Sequence, residues 1–320
     1  MSYPLYRDYY KLNVQHIYDL VLNFKPTINF YETNPKKLEL YKNKYYFVIT
    51  DLWQTNTELN SLTDYFSEKI RINCKVINNQ KPIDYWNKNK HKLLQLKLNI
   101  IDLKEKIYHN VKLCNNFRVS IIITILKYFN VKRYLDISAG WGDRLIASIL
   151  CKLKFYCACD PNLDLHPCYK EMIDTLVQDP NKRKNYNVIA DGFEVANIPD
   201  KKYDMVFSSP PFFDLEIYSA HKGDSVVKYN KSRDWLKNFF MFSVLKAYNL
   251  LIKNGKMILH IGKDIYIILE KMKQVFDKHM QYYGIIYYHE KDYRAMFAWK
   301  KLNDHKFSSE EINNIIDNIL

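Results

Sequence analysis

Glycine is scarce in this chain, with seven residues in 320, and no Gly/Pro-rich stretch reads as a linker. The parts of the chain are therefore expected to pack together. No apolar run reaches bilayer length, and the N-terminal MSYPLYRDYYK lacks a signal-peptide core. An intracellular, cytoplasmic protein is expected (host cytoplasm if viral). The six cysteines (Cys74, Cys114, Cys151, Cys157, Cys159 and Cys168) lack zinc-like paired spacing. Reduced thiols are expected, and Cys157-x-Cys159 reads as two small core residues of a strand, with no metal. What is present is a 48% hydrophobic, globular composition, enough for one large domain or two modest ones. The net charge of +13 favours an anionic partner, nucleic acid first, although a Lys- and Asn-rich composition contributes to it.

From Phe117 onward the chain alternates between helical and strand patterns. Helices are expected over 117–129, 143–153, 165–177, 233–253 (closed by Asn254-Gly255) and 265–280. Strands are expected at KRYLDI, KFYCACD, YNVIAD, YDMVF and KMILHIG, with a closing pair in YYGIIYYHE and YRAMFAWK. This order predicts a doubly wound, mostly parallel α/β sheet with an antiparallel C-terminal strand and ligands at the carboxyl ends of the strands. Residues 1–112 form a separate basic α+β extension, with 18 Lys and Arg against 11 Asp and Glu. Within it, Leu93, Leu96, Ile100, Leu103 and Ile107 are expected to form one helical stripe docking the extension onto the α/β domain of residues 113–302. Residues 303–320 read as a terminal helix, with a capping box from Ser308 to Glu311.

The chemistry concentrates at three strand ends and one loop. Asp136-Ile-Ser-Ala-Gly140-Trp-Gly142-Asp-Arg144 joins a strand to a helix, and a Gly-x-Gly turn there lets a ligand approach the backbone. The third glycine of the dinucleotide fingerprint is missing, and Asp143 at the helix start disfavours a phosphate. A cationic or zwitterionic ligand suits the turn better. Asp160 ends the second strand, suited to ribose hydroxyls, and Asp191 ends the third, suited to an adenine amine. The set fits S-adenosylmethionine: Asp136 near the methionine amine, Gly140 and Gly142 under the backbone, Asp160 on ribose and Asp191 on adenine. Ser138 in the turn and Ser208 at the end of YDMVFS complete the expected cofactor contacts. After that strand, Ser209-Pro210-Pro211-Phe212 is a stiff extended exit whose carbonyls lack ladder partners and accept hydrogen bonds.

These motifs resemble the Rossmann-type DNA amino-methyltransferases, particularly phage and bacterial DNA methylases, which carry an Ala-Gly-Trp-Gly turn and a Ser-Pro-Pro-aromatic loop. The resemblance runs through NNFRVS (115–120), DISAGWGDRLIAS (136–148), CDPN (159–162), SSPPFFDLEIYS (208–219) and RDWLKNF (233–239). It implies a class I methyltransferase fold, with Ser209 and the Pro210 carbonyl accepting the exocyclic amine of cytosine or adenine, and Phe212 stacking on the base. Ser before Pro-Pro leans toward N4-cytosine. Departures are Ile137 where Pro is common and Phe212 where Tyr is usual. Candidate nucleic-acid contacts are Lys222, Lys228, Lys231 and Arg233 after the loop, and the basic–aromatic cluster around Trp86 and Lys90. RNA or protein-amide methylation, or a non-catalytic nucleic-acid-binding subunit, stays open on the sequence.

Overall fold

The computed structural model describes residues 2–25, 28–31, 46–49, 57–211, 213, 216–219, 221–262, 265–287 and 296–320. Among these, the helices of eight residues or more are α1 (Val14–Asn23), α2 (Thr57–Arg71), α3 (Pro82–Gln95), α4 (Ile100–Asn110), α5 (Val119–Tyr128), α6 (Asp143–Leu150), α7 (His166–Leu176), α8 (Phe242–Leu250), α9 (Tyr266–His279) and α10 (Ser309–Ile319). The strands are β1 (Ile28–Tyr31), β2 (Tyr46–Ile49), β3 (Lys75–Val76), β4 (Arg133–Asp136), β5 (Phe155–Cys159), β6 (Tyr186–Ile189), β7 (Tyr203–Ser208), β8 (Glu216–Ile217), β9 (Leu251–His260), β10 (Met280–Tyr287) and β11 (Met296–Lys301). No described helix is long and apolar enough to cross a membrane.

Nine strands form one sheet in the order β1-β2-β10-β11-β9-β7-β4-β5-β6. From β6 through β9 neighbouring strands are parallel, while β11 runs antiparallel to both β9 and β10. This is the doubly wound, Rossmann-like arrangement expected from the alternation. The order reverses between β4 and β7: β5 and β6 add on one side of β4, β9 on the far side of β7. Connections leaving β4 and β7 therefore diverge, and a crevice opens at their carboxyl ends.

Side-chain alternation assigns the two faces. Tyr134, Tyr156, Ala158, Met205 and Phe207 point toward α2, α5, α6 and α7, in a core that also includes Ile17 and Val21 of α1. Leu135, Cys157, Cys159, Val206 and Met257 point the opposite way, under α8, α9 and α10. The period of two along each strand makes this separation unavoidable. Cys157 and Cys159 are buried residues of that second core.

Three expectations are corrected. The helix predicted to 253 ends at Leu250, because Leu251–Lys253 already belong to β9. Asn254-Gly255 lies within that strand, not at a helix cap, with Asn254 at φ +67° where β7 and β9 shift register. A π-helical segment, Leu236–Met241, also interrupts the expected regular helix. Residues 91–111 are two helices: Lys97 adopts φ +51° and the Asn99 side chain caps α4 by accepting from the Asp102 N–H at 2.9 Å. Leu93, Leu103 and Ile107 pack with Tyr3, Ile72 and Trp86 in a satellite core, whereas Leu96 and Ile100 are exposed. Docking onto the sheet instead falls to Leu59, Leu62 and Phe66 of α2 in the first core. β1 and β2 join the sheet as well, β1 pairing antiparallel with β2 and β2 in parallel with β10. The Ser308 capping box forms as expected: its hydroxyl accepts from the Glu311 N–H, and its own N–H donates to the Glu311 carboxylate.

Candidate active site

A cavity of about 390 Å³ opens at the crevice between β4 and β7, within the size range of small-molecule sites. Its walls include Ser138 and Gly140 from the turn after β4, Asp160 after β5, Gly192–Glu194 after β6, Ser209–Pro211 after β7 and His260 at the end of β9. Asn115–Arg118, leading into α5, and Glu216, Tyr218 and Asp224 close the remaining side. Five strand ends thus converge on one space.

The turn after β4 is built on a buried ion pair. Asp136, fully buried, accepts from Arg144 Nε at 2.7 Å, Tyr156 Oη at 3.1 Å, Ser208 Oγ at 2.8 Å and the Ser138 N–H at 3.2 Å. All its hydrogen-bonding capacity is spent within the protein. Asp136 is therefore not available to a methionine amine, and Ser208, which serves Asp136, does not line the cavity either. The physical reason is parity: Asp136 shares the Tyr134 face of β4, beneath α6, where Arg144 meets it. Arg144 also donates to the Ser138 carbonyl and so fixes the turn.

The two glycines of the turn have different jobs. Gly140 has φ +59°, and the nearest atom to a Cβ there is Arg144 Nη2 at 3.6 Å, so that edge is open toward the cavity. Gly142, at φ +90°, does not line the cavity; a Cβ would lie 2.5 Å from Met172 Sδ. Close approach to a ligand explains the first glycine, and packing of α6 against α7 the second.

Asp160 is placed as expected. One carboxylate oxygen accepts from the Gly140 N–H and the other from the Asn162 N–H, both at 2.9 Å. Burial pushes its pKa up to about 6, against the pull of these N–H donors. Asp143 is likewise pushed up to about 6 by burial, opposed by Arg144 and by the Thr63 hydroxyl that donates to it at 2.9 Å. Asp191 is exposed and its carboxylate accepts from the Gly192 N–H. The acid that lines the cavity beyond β6 is Glu194: Oε1 accepts from Lys228 Nζ at 2.9 Å and Tyr229 Oη at 3.3 Å, while buried Oε2 has no partner among the described residues.

In the loop after β7, Ser209, Pro210 and Pro211 line the cavity, and Ser209 Oγ is 2.8 Å from His260 Nδ1. Phe212 lies outside the described residues. Lys222, Lys231 and Arg233 are exposed in the segment whose Gly223–Ser225 form part of the wall, whereas Lys228 is drawn to Glu194. Lys90 lies half-buried on α3. Trp86 is 1% exposed and packs edge-on against Tyr3, so it cannot stack on a base; it is a core residue of the satellite cluster.

Sequence reasoning missed Glu194, Glu216, His260 and individual roles in Asn115–Arg118. A lone histidine after an apolar strand (KMILH) was a usable signal once β9 was placed beside β7. Glu194 had none, since only the turn after β6 brings it inward.

No family model matches the chain. Over 125 residues it is 26% identical to Type II methyltransferase M.MjaVI of Methanocaldococcus jannaschii, a match taking in 37% of this chain and 61% of that protein. The match therefore spans less than two thirds of that relative's length. Among solved structures, TrmN from Thermus thermophilus aligns with a TM-score of 0.42 at 13% identity, covering 58% of this chain and 49% of TrmN. An rRNA methylase from Streptococcus thermophilus gives 0.41 at 14% identity, covering 59% and 99%. The class defined by the strand order is a doubly wound, Rossmann-like fold, and the sequence similarity is to a methyltransferase.

Proposed function

We propose that this chain is an S-adenosylmethionine-dependent N-methyltransferase acting on the exocyclic amine of a nucleobase in nucleic acid, DNA in preference. The observation that carries this reading is convergence: the Gly140 turn, Asp160 and the Ser209-Pro210-Pro211 loop face one cavity at the sheet's reversal point.

The wall chemistry fits the cofactor. Acids predominate in a protein of net charge +13: Asp143, Asp160, Glu194, Glu216 and Asp224 line the cavity, against Arg118 and an Arg144 already paired to Asp136. Such a wall suits a ligand bearing sulfonium and ammonium charges and repels a phosphate. Asp160 holds the ribose hydroxyls, and the orphan Oε2 of Glu194 takes the adenine amine in place of Asp191. The open edge of Gly140 receives the ligand closely.

When bound, S-adenosylmethionine supplies an electrophilic methyl group: the amine lone pair forms the new N–C bond, the S–C pair stays with sulfur, and a surplus amine proton passes to solvent. Ser209 and the Pro210 carbonyl hold the amine by its N–H bonds and leave its lone pair free, so orientation supplies much of the acceleration. The same acceptors stabilise positive charge developing on nitrogen. In a duplex the base must leave the stack to reach this depth.

Tritiated methyl transfer to DNA, RNA and protein pools, followed by nucleoside analysis, tests the reading. Label is expected in N-methylated cytosine or adenine and strongly reduced, to a still measurable level, in S209A. Label confined to RNA would move the polymer; label confined to protein would sink the nucleobase claim.

A further inference from the structure

His260 ends β9 against the Ser209 loop, 4% exposed, and the chemistry above gives it no task. Its ring meets Phe117 edge to face, with centroids 5.1 Å apart at 80°, and Phe117 packs the same way on Phe207 at 5.7 Å and 82°. The imidazole is thus held between β9, the end of β7 and the segment entering α5. Its Nδ1 lies 2.8 Å from Ser209 Oγ.

Resting on the nucleobase-amine reading, we propose that His260 is a positioning residue that sets the direction of the Ser209 hydroxyl. Nδ1 accepts the Ser209 proton, and both lone pairs of Oγ then face the cavity. A serine hydroxyl offers one donor and two acceptors, and rotates to suit its neighbours. For an amine nucleophile only one orientation works. With the proton on the histidine side, Oγ accepts an amine N–H and leaves the nitrogen lone pair free. With the proton turned into the cavity, Oγ–H would bind that lone pair, the one that must form the new N–C bond. The two ring nitrogens are distinct, so the tautomer of His260 decides whether Ser209 receives or blocks its substrate.

The fixed ring makes this control geometric. Nδ1 lies at a set distance from Oγ because Phe117 and the β9 backbone restrain the imidazole, and Pro210 and Pro211 stiffen the chain that carries Ser209. An aliphatic residue at 260 would leave the hydroxyl free to rotate. Asparagine places an amide near the position of Nδ1 and can take the same proton.

A double-mutant cycle on the full chain tests this, using S209A, H260A and S209A/H260A. Loss of the oriented acceptor is expected to lower the H260A kcat by about tenfold or more. Cofactor Kd, read by calorimetry, should stay within about threefold, as expected for an interaction made with the reacting group. H260N should recover much of the loss, and H260A should cost nothing further in the S209A background. Nitrogen-15 NMR of histidine-labelled wild-type protein reads the tautomer without turnover and needs no folded variant beyond H260N for assignment. An unprotonated Nδ1 in the neutral ring is expected. Additive losses in the two backgrounds, or a proton on Nδ1 of the neutral ring, would overturn the role of His260 while leaving an active enzyme. A wild type that methylates no nucleic acid would instead remove the functional reading, and this inference with it.

Discussion

Gly140 and Gly142 look alike in the sequence, and substitution should separate them. In G142A the new methyl would meet Met172 at 2.5 Å in a backbone at φ +90°. Left-handed strain plus overpacking is expected to cost about 2–4 kcal/mol, read by chemical denaturation. G140A has room, so only the strain of about 1 kcal/mol is expected in stability, and the larger effect should be weakened cofactor binding. Two acids supply a pH test at the same scale. Asp143 and Asp160 titrate near 6 in the folded chain, above the usual carboxylate range, because both are buried. A raised acid pKa means the folded state holds more protons than the unfolded state between roughly pH 4 and 6. Their contribution to stability therefore falls as pH rises through that window. A bound cation favours the ionised forms, so cofactor binding should release protons and tighten from pH 5 to 7. Calorimetry in buffers of different ionisation enthalpy measures this, and D160N should flatten the dependence.

At the scale of elements, the segment β4–turn–α6 combines a readable motif with a hidden pairing. Strand, glycine turn and helix follow from local patterning, but the Asp136–Arg144 pair depends on how α6 lies across the sheet. R144M leaves the fully buried Asp136 without its cation, and a loss of about 3–5 kcal/mol is expected in thermal or denaturant unfolding. The helical hairpin of α3 and α4 teaches the converse. Its apolar spacing is legible, yet a single straight stripe could not bring Leu93, Leu103 and Ile107 around Trp86 together. The chain breaks at Lys97, and Asn99 restarts it with a side-chain cap. N99A should cost about 1 kcal/mol, the usual worth of an N-cap, seen as a lower unfolding midpoint.

For the whole molecule, the proposed function divides the work by charge: it assigns the surplus of positive charge to a polyanion and the acid-lined cavity to a cationic cofactor. Lys222, Lys231 and Arg233 are exposed beside the cavity wall. Replacing all three with alanine should weaken nucleic-acid binding and lessen the slope of log K against log salt by up to about 3, measured by fluorescence anisotropy. An unchanged slope would place the phosphate path elsewhere. The sequence by itself determined the order of strands and helices from Phe117 onward, because apolar periodicity, proline stiffness and turn chemistry act over a few residues. It also marked the Gly140 turn and the Ser209-Pro210-Pro211 loop. The tertiary structure decided which strand-end groups face the cavity: Asp160 and Glu194 do, while Asp136 turns into the core and Asp191 to solvent. That choice depends on strand parity, on a competing arginine from the next helix and on neighbours distant in the chain, such as His260 beside Ser209. None of these is a local property.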